Sequence, residues 1–480
     1  MTIQVYNVLS RKKEPFVPIT EGKVNMYVCG PTVYDDSHIG HAKTYISFDV
    51  IARYLRFSGY DVLYVQNITD VGHMLDTGED RVLRRARQLS AKPMQVVETY
   101  TRGYFEDMDA LNVIRPDISP RASGHVPEQI AMVQSLIEKG HAYVVDGSVY
   151  FDVTSFPEYG KLSGRRLEEQ EEGTREAVRT EKRHPADFAL WKKAEPEHIL
   201  RWPSPWGEGF PGWHVECSAM SAKYLGDTFD IHGGGIDNIF PHNECEIAQS
   251  EAAHGVPFAR YWLLAGTLTL DGVKMSKSLG NTLTLKEALT RWRPEAIRTF
   301  ILSSHYSNPI DFSDEALDAA YKGWSRIWGA VNLVREQLKK AADGPAAEGV
   351  QTLVSQTRAS FIERMDDDFN APAALAVLQD YTRKVNSLVN ESTPLSRDSL
   401  EILDQTFGEL GGDVLGIIPD QLHQPGDSSR QEGLMGLLLA LRADARKRKD
   451  WQEADLIRQE LAKLGITVED RPDGTIWKVG

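Results

Sequence analysis

Apolar positions in the first third of the chain follow two alternating periods. Val24-Asn25-Met26-Tyr27-Val28-Cys29 is strand-like and stops at the turn signal Gly30-Pro31. Tyr45, Phe48, Ile51, Ala52, Leu55 and Phe57 then recur at helical spacing until Gly59. Asp61 to Gln66 is a second apolar run, rich in Val, Leu and Tyr. Strand, loop, helix and strand in this order make a βαβ unit, which implies a parallel sheet and an α/β fold. A long charged helix is expected from about 79 to 112 and another from about 127 to 139.

The pattern then loosens. A hairpin is expected around Asp146-Gly147, and the acidic run Glu168-Glu169-Gln170-Glu171-Glu172 reads as a solvated loop. This block resembles an insertion between two halves of the α/β domain, since Asp227 to His232 resumes the strand pattern and runs into Gly233-Gly234-Gly235. Helical periodicity dominates beyond Ala316, interrupted by Ala341-Ala342-Asp343-Gly344-Pro345 and by a linker from about Pro419 to Ser429. The tail reads as one long helix and a hairpin around Pro472-Asp473-Gly474. The expected divisions are 1–112 and 207–265 for the two halves of the sheet domain and 113–206 for the insertion. Residues 266–318 form a connecting region, 319–418 a helical bundle and 428–480 a small C-terminal domain.

Composition narrows the class without naming a chemistry. A chain of 480 residues with 41% hydrophobic and 26% charged residues is globular and multidomain. It has no apolar run near the roughly 18–20 residues that cross a bilayer, and Met1 to Lys13 lacks the pattern of a signal peptide. Three cysteines cannot staple so long a chain, so a reducing, cytoplasmic setting is expected, with thiols left for metal or catalysis. A formal charge of −15 argues against gripping nucleic acid with the whole surface, but leaves a local basic patch open.

Two short motifs carry phosphate chemistry. Ser37-His38-Ile39-Gly40-His41 stands at a strand-to-helix junction, where free N–H groups and the helix dipole favour polyphosphate. His38 and His41 share a face of the first turn, and Gly40 lets a nucleotide approach the backbone. Lys274-Met275-Ser276-Lys277-Ser278 follows a strand-like run and the turn Asp271-Gly272, and places two lysines where charge develops on transferring phosphates. Among metal-ligand residues, His242 and Glu246 are four apart and share a helix face. Spacing alone leaves Cys29, Cys217, His214 and Cys245 as equal candidates to join them.

In this order and context, the two motifs resemble the signature pair of class I aminoacyl-tRNA synthetases. The likeness extends nearly end to end and is to cysteinyl-tRNA synthetase. It is carried by Met26 to Tyr34, Asn67-Ile68-Thr69-Asp70, Gly212 to Ser218, His232 to Asp237, the lysine loop and Asp367-Asp368-Phe369-Asn370. The resemblance implies a class I Rossmann-type catalytic domain with an insertion, a helical bundle and a C-terminal anticodon-binding domain. It further implies that ATP, with Mg2+, activates L-cysteine to cysteinyl-adenylate and that the acyl group passes to tRNA(Cys). One zinc ion, held by Cys29, Cys217, His242 and Glu246, would bind the substrate thiolate.

The same resemblance assigns catalytic roles to His38, His41, Lys274 and Lys277, with Ser276 and Ser278 supporting. It puts Gly40, Gly234 and Asp237 on the nucleotide, and Thr69 and Trp213 around the substrate thiol. Two departures stand out. The family commonly has His-His-Glu-Asn-Glu where this chain has His242-Asn243-Glu244-Cys245-Glu246, which introduces a competing thiol. It often has His-Asn or His-Thr before the glycine where this chain has Leu264-Ala265-Gly266. At the C-terminus, Arg442, Arg446, Lys447, Arg448 and Lys449 are expected to meet RNA phosphates, with Trp451 or Trp477 stacking on a base. A monomer is expected. Two rival readings are a cysteine ligase of mycothiol synthesis and a zinc-dependent RNA-binding protein without catalysis.

Overall fold

The computed structural model describes residues 2–72, 80–166, 181–195, 198–275, 282–391, 394–419, 427–448, 450–463, 466–471 and 474–479. The chain divides into two units, Met1–Asp420 and Gln421–Gly480.

An N-terminal hairpin, β1 (Gln4–Asn7) and β2 (Lys12–Pro15), precedes β3 (Lys23–Val28), α1 (Ile39–Phe57) and β4 (Asp61–Gln66). The predicted βαβ unit is therefore present. The expected helix over 79–112 is instead two, α2 (Arg81–Gln88) and α3 (Pro93–Ala110). Ser90 takes a positive φ of 51°, and Pro93 opens the next helix at its first turn, where its missing N–H costs no bond. After α4 (Val126–Glu138), β5 (Ala142–Val145), β6 (Ser148–Phe151), β7 (Phe188–Lys193) and β8 (Gly209–Pro211) form an antiparallel sheet in sequence order. Asp146 and Gly147 both have positive φ, as a tight two-residue hairpin requires.

The chain returns through α5 (Trp213–Leu225), β9 (Phe229–Gly235), α6 (Glu244–His254) and β10 (Ala259–Ala265). The central sheet has the order β10-β9-β3-β4 with every pairing parallel. The chain winds outward from β3 to β4 and, much later, from β9 to β10. The strand order thus reverses between β3 and β9, where ligands of open α/β sheets bind beyond the carboxyl ends. Residues of α5 and α6, including Val215, Ala219, Cys245 and Ala248, share one buried core with Phe151, Leu190 and Trp191 of the inserted sheet. The insertion therefore clamps these two helices from outside.

Short strands β11 (Leu268–Leu270) and β12 (Val273–Lys274) precede α7 (Leu285–Arg291), α8 (Pro294–Leu302) and β13 (Ile310–Phe312). Thr284 and Glu287 form a reciprocal capping box at the start of α7. Thr284→Ala is expected to cost about 1 kcal/mol in denaturant unfolding, the usual worth of an N-cap side chain. Helices α9 (Asp314–Leu338), α10 (Glu348–Asp366), α11 (Ala371–Val389) and α12 (Arg397–Phe407) complete the first unit.

This bundle is tied to the rear of α1. Buried Asp49 pairs with Arg298 of α8, whose Nε and Nη1 also donate to the carbonyls of Leu415 (2.6 Å) and Leu111 (3.2 Å). The Tyr54 hydroxyl donates to Asp366 Oδ1 (2.6 Å), next to a turn in which Asp368 and Phe369 both take positive φ. Asp368 Oδ1 accepts from the Tyr6 amide (2.8 Å) and the Tyr306 hydroxyl (3.0 Å). The motif Asp367 to Asn370 thus serves as a docking turn.

In the second unit, α13 (Asp427–Lys447) and α14 (Trp451–Lys463) lead into the hairpin β14 (Ile466–Arg471) and β15 (Gly474–Val479). Met435, Leu461 and Ile466 form its buried core. The single long helix expected here is broken after Lys447. Among the described residues, no helix is long and apolar enough to cross a membrane.

Candidate active site

The reversal point of the sheet carries the donors. Cys29 follows the last residue of β3, and its amide donates to the Gly233 carbonyl of β9 (2.9 Å). Cys217 comes from α5, His242 from the turn before α6, and Glu246 from α6 itself. The ligand atoms of these four buried residues lie within 4.8 Å of one another. His242 Nε2 and Glu246 Oε1 approach to 2.6 Å, while each cysteine sulfur is 3.6 Å from a donor, Cys29 from Glu246 and Cys217 from His242. Two thiols, an imidazole and a carboxylate converging without solvent are a donor set for a metal, and the set fits one.

The charges agree. Against burial, Glu246 and Cys217 raise His242 to about 10, and against burial too, His242 and His232 hold Glu246 below the ordinary carboxylate range. A hydrogen bond from Cys29 brings Cys217 down to about 6, despite burial. Cys29 moves the other way, its thiol pushed well up by its hydrogen bond to Cys217 and by burial, so the buried negative charge rests on Cys217 and Glu246, where a cation would satisfy it.

A supporting layer fixes each donor. His214 Nδ1 meets His242 Nδ1 at 2.9 Å. Burial and the charge of His242 hold His214 well below its usual pKa, so it stays neutral and accepts, leaving His242 Nε2 for the cluster. His232 Nε2 approaches Glu246 Oε2 to 2.5 Å, and Asn243 Nδ2 donates to Cys29 Sγ at 3.8 Å. Cys245 is not part of the set. It is buried in the core shared with the inserted sheet, 3.6 Å from the Tyr159 hydroxyl, and burial pushes its thiol up.

Cys29, Cys217 and His242 open onto a cavity of about 330 Å³ that Thr69 and Trp213 also line. The Trp213 ring stacks on His242 with centroids 4.2 Å apart. His38, Gly40, His41 and Asp237 line the other part of the same cavity. A larger hollow of about 950 Å³ beside Arg11, Lys161, Arg165 and Arg166 contains no such donor set among the described residues.

His38 is the N-cap of α1. Its Nδ1 accepts from the Gly40 amide (3.1 Å), while His41 Nδ1 accepts from the His38 amide (3.1 Å). An imidazole that accepts at Nδ1 carries its proton at Nε2. The two rings stack at 3.9 Å, so the helix start presents a pair of Nε2–H donors beside its own dipole. A Cβ on Gly40 would lie 2.9 Å from the His38 ring and 3.1 Å from Met275 Cε. Glycine at this position thus permits both the ring pair and the approach of the lysine-loop segment.

That segment is pinned to α1 on both sides. Met275 lines the cavity, and beyond the loop the Ile39 amide donates to Leu283 (3.0 Å) and the Leu285 amide to Ser37 (2.8 Å). Ser276, Lys277 and Ser278 lie outside the described residues, as does the side chain of Lys274, whose backbone ends β12. Gly234 packs within β9 beside Cys29, and its neighbour Gly235 faces the cavity. Thr44 and Asn238, which the sequence did not single out, also line it, as do Tyr45, read only as a helical apolar position, and Asn67, read only as part of a family motif. His232 was legible only as part of a histidine–glycine run.

One further acid lies beneath the cavity. Glu216 is fully buried in the first turn of α5, and neither carboxylate oxygen has a hydrogen-bond partner among the described residues. Burial pushes it well above the ordinary carboxyl range, the charges of Cys217, Asp70 and Asp80 add to this, and the nearby Thr69 hydroxyl opposes it.

In the second unit, the expected basic cluster is thinner than the sequence implied. Arg442 is buried, because it falls on the core-facing side of α13. Arg448 pairs with Asp444 (3.1 Å) and Glu453 (2.9 Å). Arg446 and Lys447 are exposed, and so is Trp451; Lys449 and the side chain of Trp477 lie outside the described residues.

Comparison with known proteins gives the family. Residues 15–322 match the tRNA synthetases class I (C) catalytic domain, 360–419 the DALR domain and 437–477 the cysteinyl-tRNA ligase anticodon binding domain. The cysteine–tRNA ligase of Deinococcus radiodurans is 52% identical, over 99% of this chain and 96% of its own. That of Thermus thermophilus is 48% identical over the full length of both. The fold resembles methionyl-tRNA synthetase of Mycobacterium tuberculosis, solved with methionyl-adenylate (TM-score 0.58, 17% identity, covering 83% of this chain and 92% of that one). It also resembles a leucyl-tRNA synthetase of Agrobacterium radiobacter, solved in a ternary complex (TM-score 0.59, 12% identity, covering 85% and 86%). With relatives at about half identity over its entire length and the matching catalytic and anticodon domains, the chain belongs to the cysteine–tRNA ligase family.

Proposed function

We propose that the chain activates L-cysteine with ATP and transfers it to tRNA(Cys), with zinc as the resident metal. The observation that carries this reading is one cavity lined at one part by the Cys29–Cys217–His242 donors and at another by the His38–His41 pair. The domain bounds drawn from the sequence, a monomeric state and a cytoplasmic location belong to the same reading.

A cysteine carboxylate oxygen attacks the α-phosphorus of ATP, and the bond to pyrophosphate breaks. The adenylate's acyl carbon is then taken by a ribose hydroxyl of the tRNA terminus, releasing AMP. Neither step needs a protein nucleophile, so the residues act by position and charge. His38 and His41 donate their Nε2 protons to phosphate oxygens as charge builds there, and the N-terminus of α1 adds its dipole. Lys277, supported by Lys274, Ser276 and Ser278, meets the leaving pyrophosphate, which travels with Mg2+. Asp237 and the glycine run hold the nucleoside. Thr69 and Trp213 hold the amino acid, Trp213 by covering the His242 ring.

Cys29, Cys217, His242 and Glu246 would hold zinc. When bound, it favours a soft thiolate whose proton leaves easily, which a serine hydroxyl cannot match. An apolar pocket alone separates such near-isosteres by only about 10–200-fold, so this donor set makes an editing step unnecessary.

Cysteine-dependent ATP–pyrophosphate exchange, followed by charging of tRNA and a metal assay, tests the proposal. Exchange with cysteine, charging, and one zinc per chain are expected. Exchange with another amino acid, or transfer to an amino sugar in place of tRNA, would sink it. For the anticodon side, Arg446→Gln with Lys447→Gln is expected to weaken tRNA binding and reduce the salt slope by roughly 0.7 per charge. An unchanged slope would remove these residues from the RNA contact.

A further inference from the structure

We propose that Asn243, not itself a ligand, tunes the metal site by donating a side-chain N–H to Cys29 Sγ. The sulfur then gives the metal less charge and leaves it able to take the substrate thiolate. This rests on the reading of Cys29, Cys217, His242 and Glu246 as a zinc site that binds a thiol, and adds the residue that moderates one of its ligands.

The side chain of Asn243 is released from its ordinary work. The residue is fully buried, directly follows His242, and stands at the N-cap of α6. Asparagine at an N-cap usually accepts a hydrogen bond from the first turn of the helix. Here the backbone is already helical, with φ −68° and ψ −32°, and the side chain makes no capping bond. Its Nδ2 donates instead to Cys29 Sγ at 3.8 Å, within reach of the large sulfur atom. Its Oδ1 has no hydrogen-bond partner among the described residues, so among them the sulfur is this side chain's sole partner. Chemistry orients the amide the same way. A carbonyl oxygen turned toward the sulfur would set two acceptors against each other, whereas an N–H complements it.

Metal binding favours this contact over the others that Cys29 makes. As a free thiol, Cys29 has a proton to share with Glu246 Oε1, 3.6 Å away. A coordinating sulfur has lost that proton, so any bond in which it was the donor disappears. The bond from Asn243 remains, and strengthens as the sulfur becomes anionic. Cys217 Sγ lies 3.6 Å from His242 Nε2, a nitrogen that the metal would claim. The two thiolates are thereby unequal, with Cys29 the weaker donor.

The donor set calls for such relief. Two thiolates and a carboxylate already outweigh a divalent ion, and a substrate thiolate adds another negative charge among buried groups. An N–H that draws charge from one sulfur lowers that excess, and hydrogen bonds around a ligating sulfur tune a metal in this way.

The test loads cobalt in place of zinc and compares Asn243→Leu and Asn243→His with the unaltered protein. Readouts are the energy of the sulfur-to-cobalt charge-transfer absorption, and KM for cysteine and for ATP in pyrophosphate exchange. Leucine fills a similar volume without an N–H. Its charge-transfer band is expected at longer wavelength, because a sulfur without the hydrogen bond gives up charge more readily. KM for cysteine should rise roughly tenfold, the lower end of the cost of losing a residue that supports a metal ligand. KM for ATP should stay as in the parent, since the His38–His41 part of the cavity is untouched. Histidine, which the family commonly carries at this place, keeps an N–H and should return both readouts toward the parent.

An unmoved band in Asn243→Leu overturns the proposal, because a merely structural side chain leaves the charge on sulfur unaltered. So does a shifted band with an unchanged KM for cysteine, or a His variant that matches the Leu variant. A rise in both KM values marks a collapsed pocket and overturns it as well. If Asn243→Leu does not fold or take up cobalt, Asn243→Ala, which only deletes atoms, is judged by the same readouts. Unaltered protein that takes up no cobalt, or shows no sulfur-to-cobalt absorption, would instead remove the reading of the four donors as a metal site.

Discussion

Cys217→Ser should leave the protein without its metal and without cysteine activation. Cys217 is buried at the wall of the cavity, with its Sγ 3.6 Å from His242 Nε2. A serine hydroxyl there is a hard, protonated donor and cannot replace a thiolate. Losing a direct ligand should exceed the roughly 10–100-fold penalty of losing a residue that merely orients one. Metal analysis and pyrophosphate exchange on the same sample check this, and full metal with full exchange would remove Cys217 from the site. Cys245→Ser is the companion control. Its thiol packs with Tyr159 in the core behind α6, so its metal content should match the parent.

The second large effect is expected from His38→Asn. Asparagine caps a helix about as well as any residue, so the start of α1 and the fold should survive. What disappears is one Nε2–H donor of the stacked pair. Removing a donor aimed at developing charge typically costs about 10²–10³ in rate. The loss should fall on kcat, with metal content and thermal unfolding unchanged. A variant that exchanges at the parental rate would mean that His38 serves only as a cap. This substitution separates the two roles because the cap uses Nδ1 and the proposed chemistry uses Nε2.

Much of this was legible in the order of residues. The strand Val24 to Val28, the helix after His41 and the strand Asp61 to Gln66 stand as read, since parallel strands buried on both faces appear as short apolar runs. The reciprocal histidine cap was foreshadowed by two histidines three apart at a strand-to-helix junction. Other features were out of reach for physical reasons. Charge and periodicity carry past Ser90, so two helices read as one, although Pro93 marked the break. Four donors separated by as many as 217 positions become neighbours only through the pairing of β3 with β9. The resemblance joined them; spacing did not. Glu216 looked like any helical acid, because only the folded chain shows that it is fully buried. Arg442 looked like its basic neighbours until α13 turned it inward.

The way the donors are distributed also sets an order of events during synthesis. Cys29 directly follows the first β-strand of the central sheet, but Cys217, His242 and Glu246 come from helices and turns 188 to 217 residues later. Chains emerge N-terminus first, at roughly 5–20 residues per second. The leading βαβ unit therefore leaves the ribosome with a lone thiol at the edge of β3 and no grip on metal. Only when β9 slots against β3 is that thiol joined by the others, and long-range pairings of this kind form late. Metal retention thus reports the pairing of β9 with β3, and a chain stalled before α5 has only Cys29 of the four with which to hold the ion.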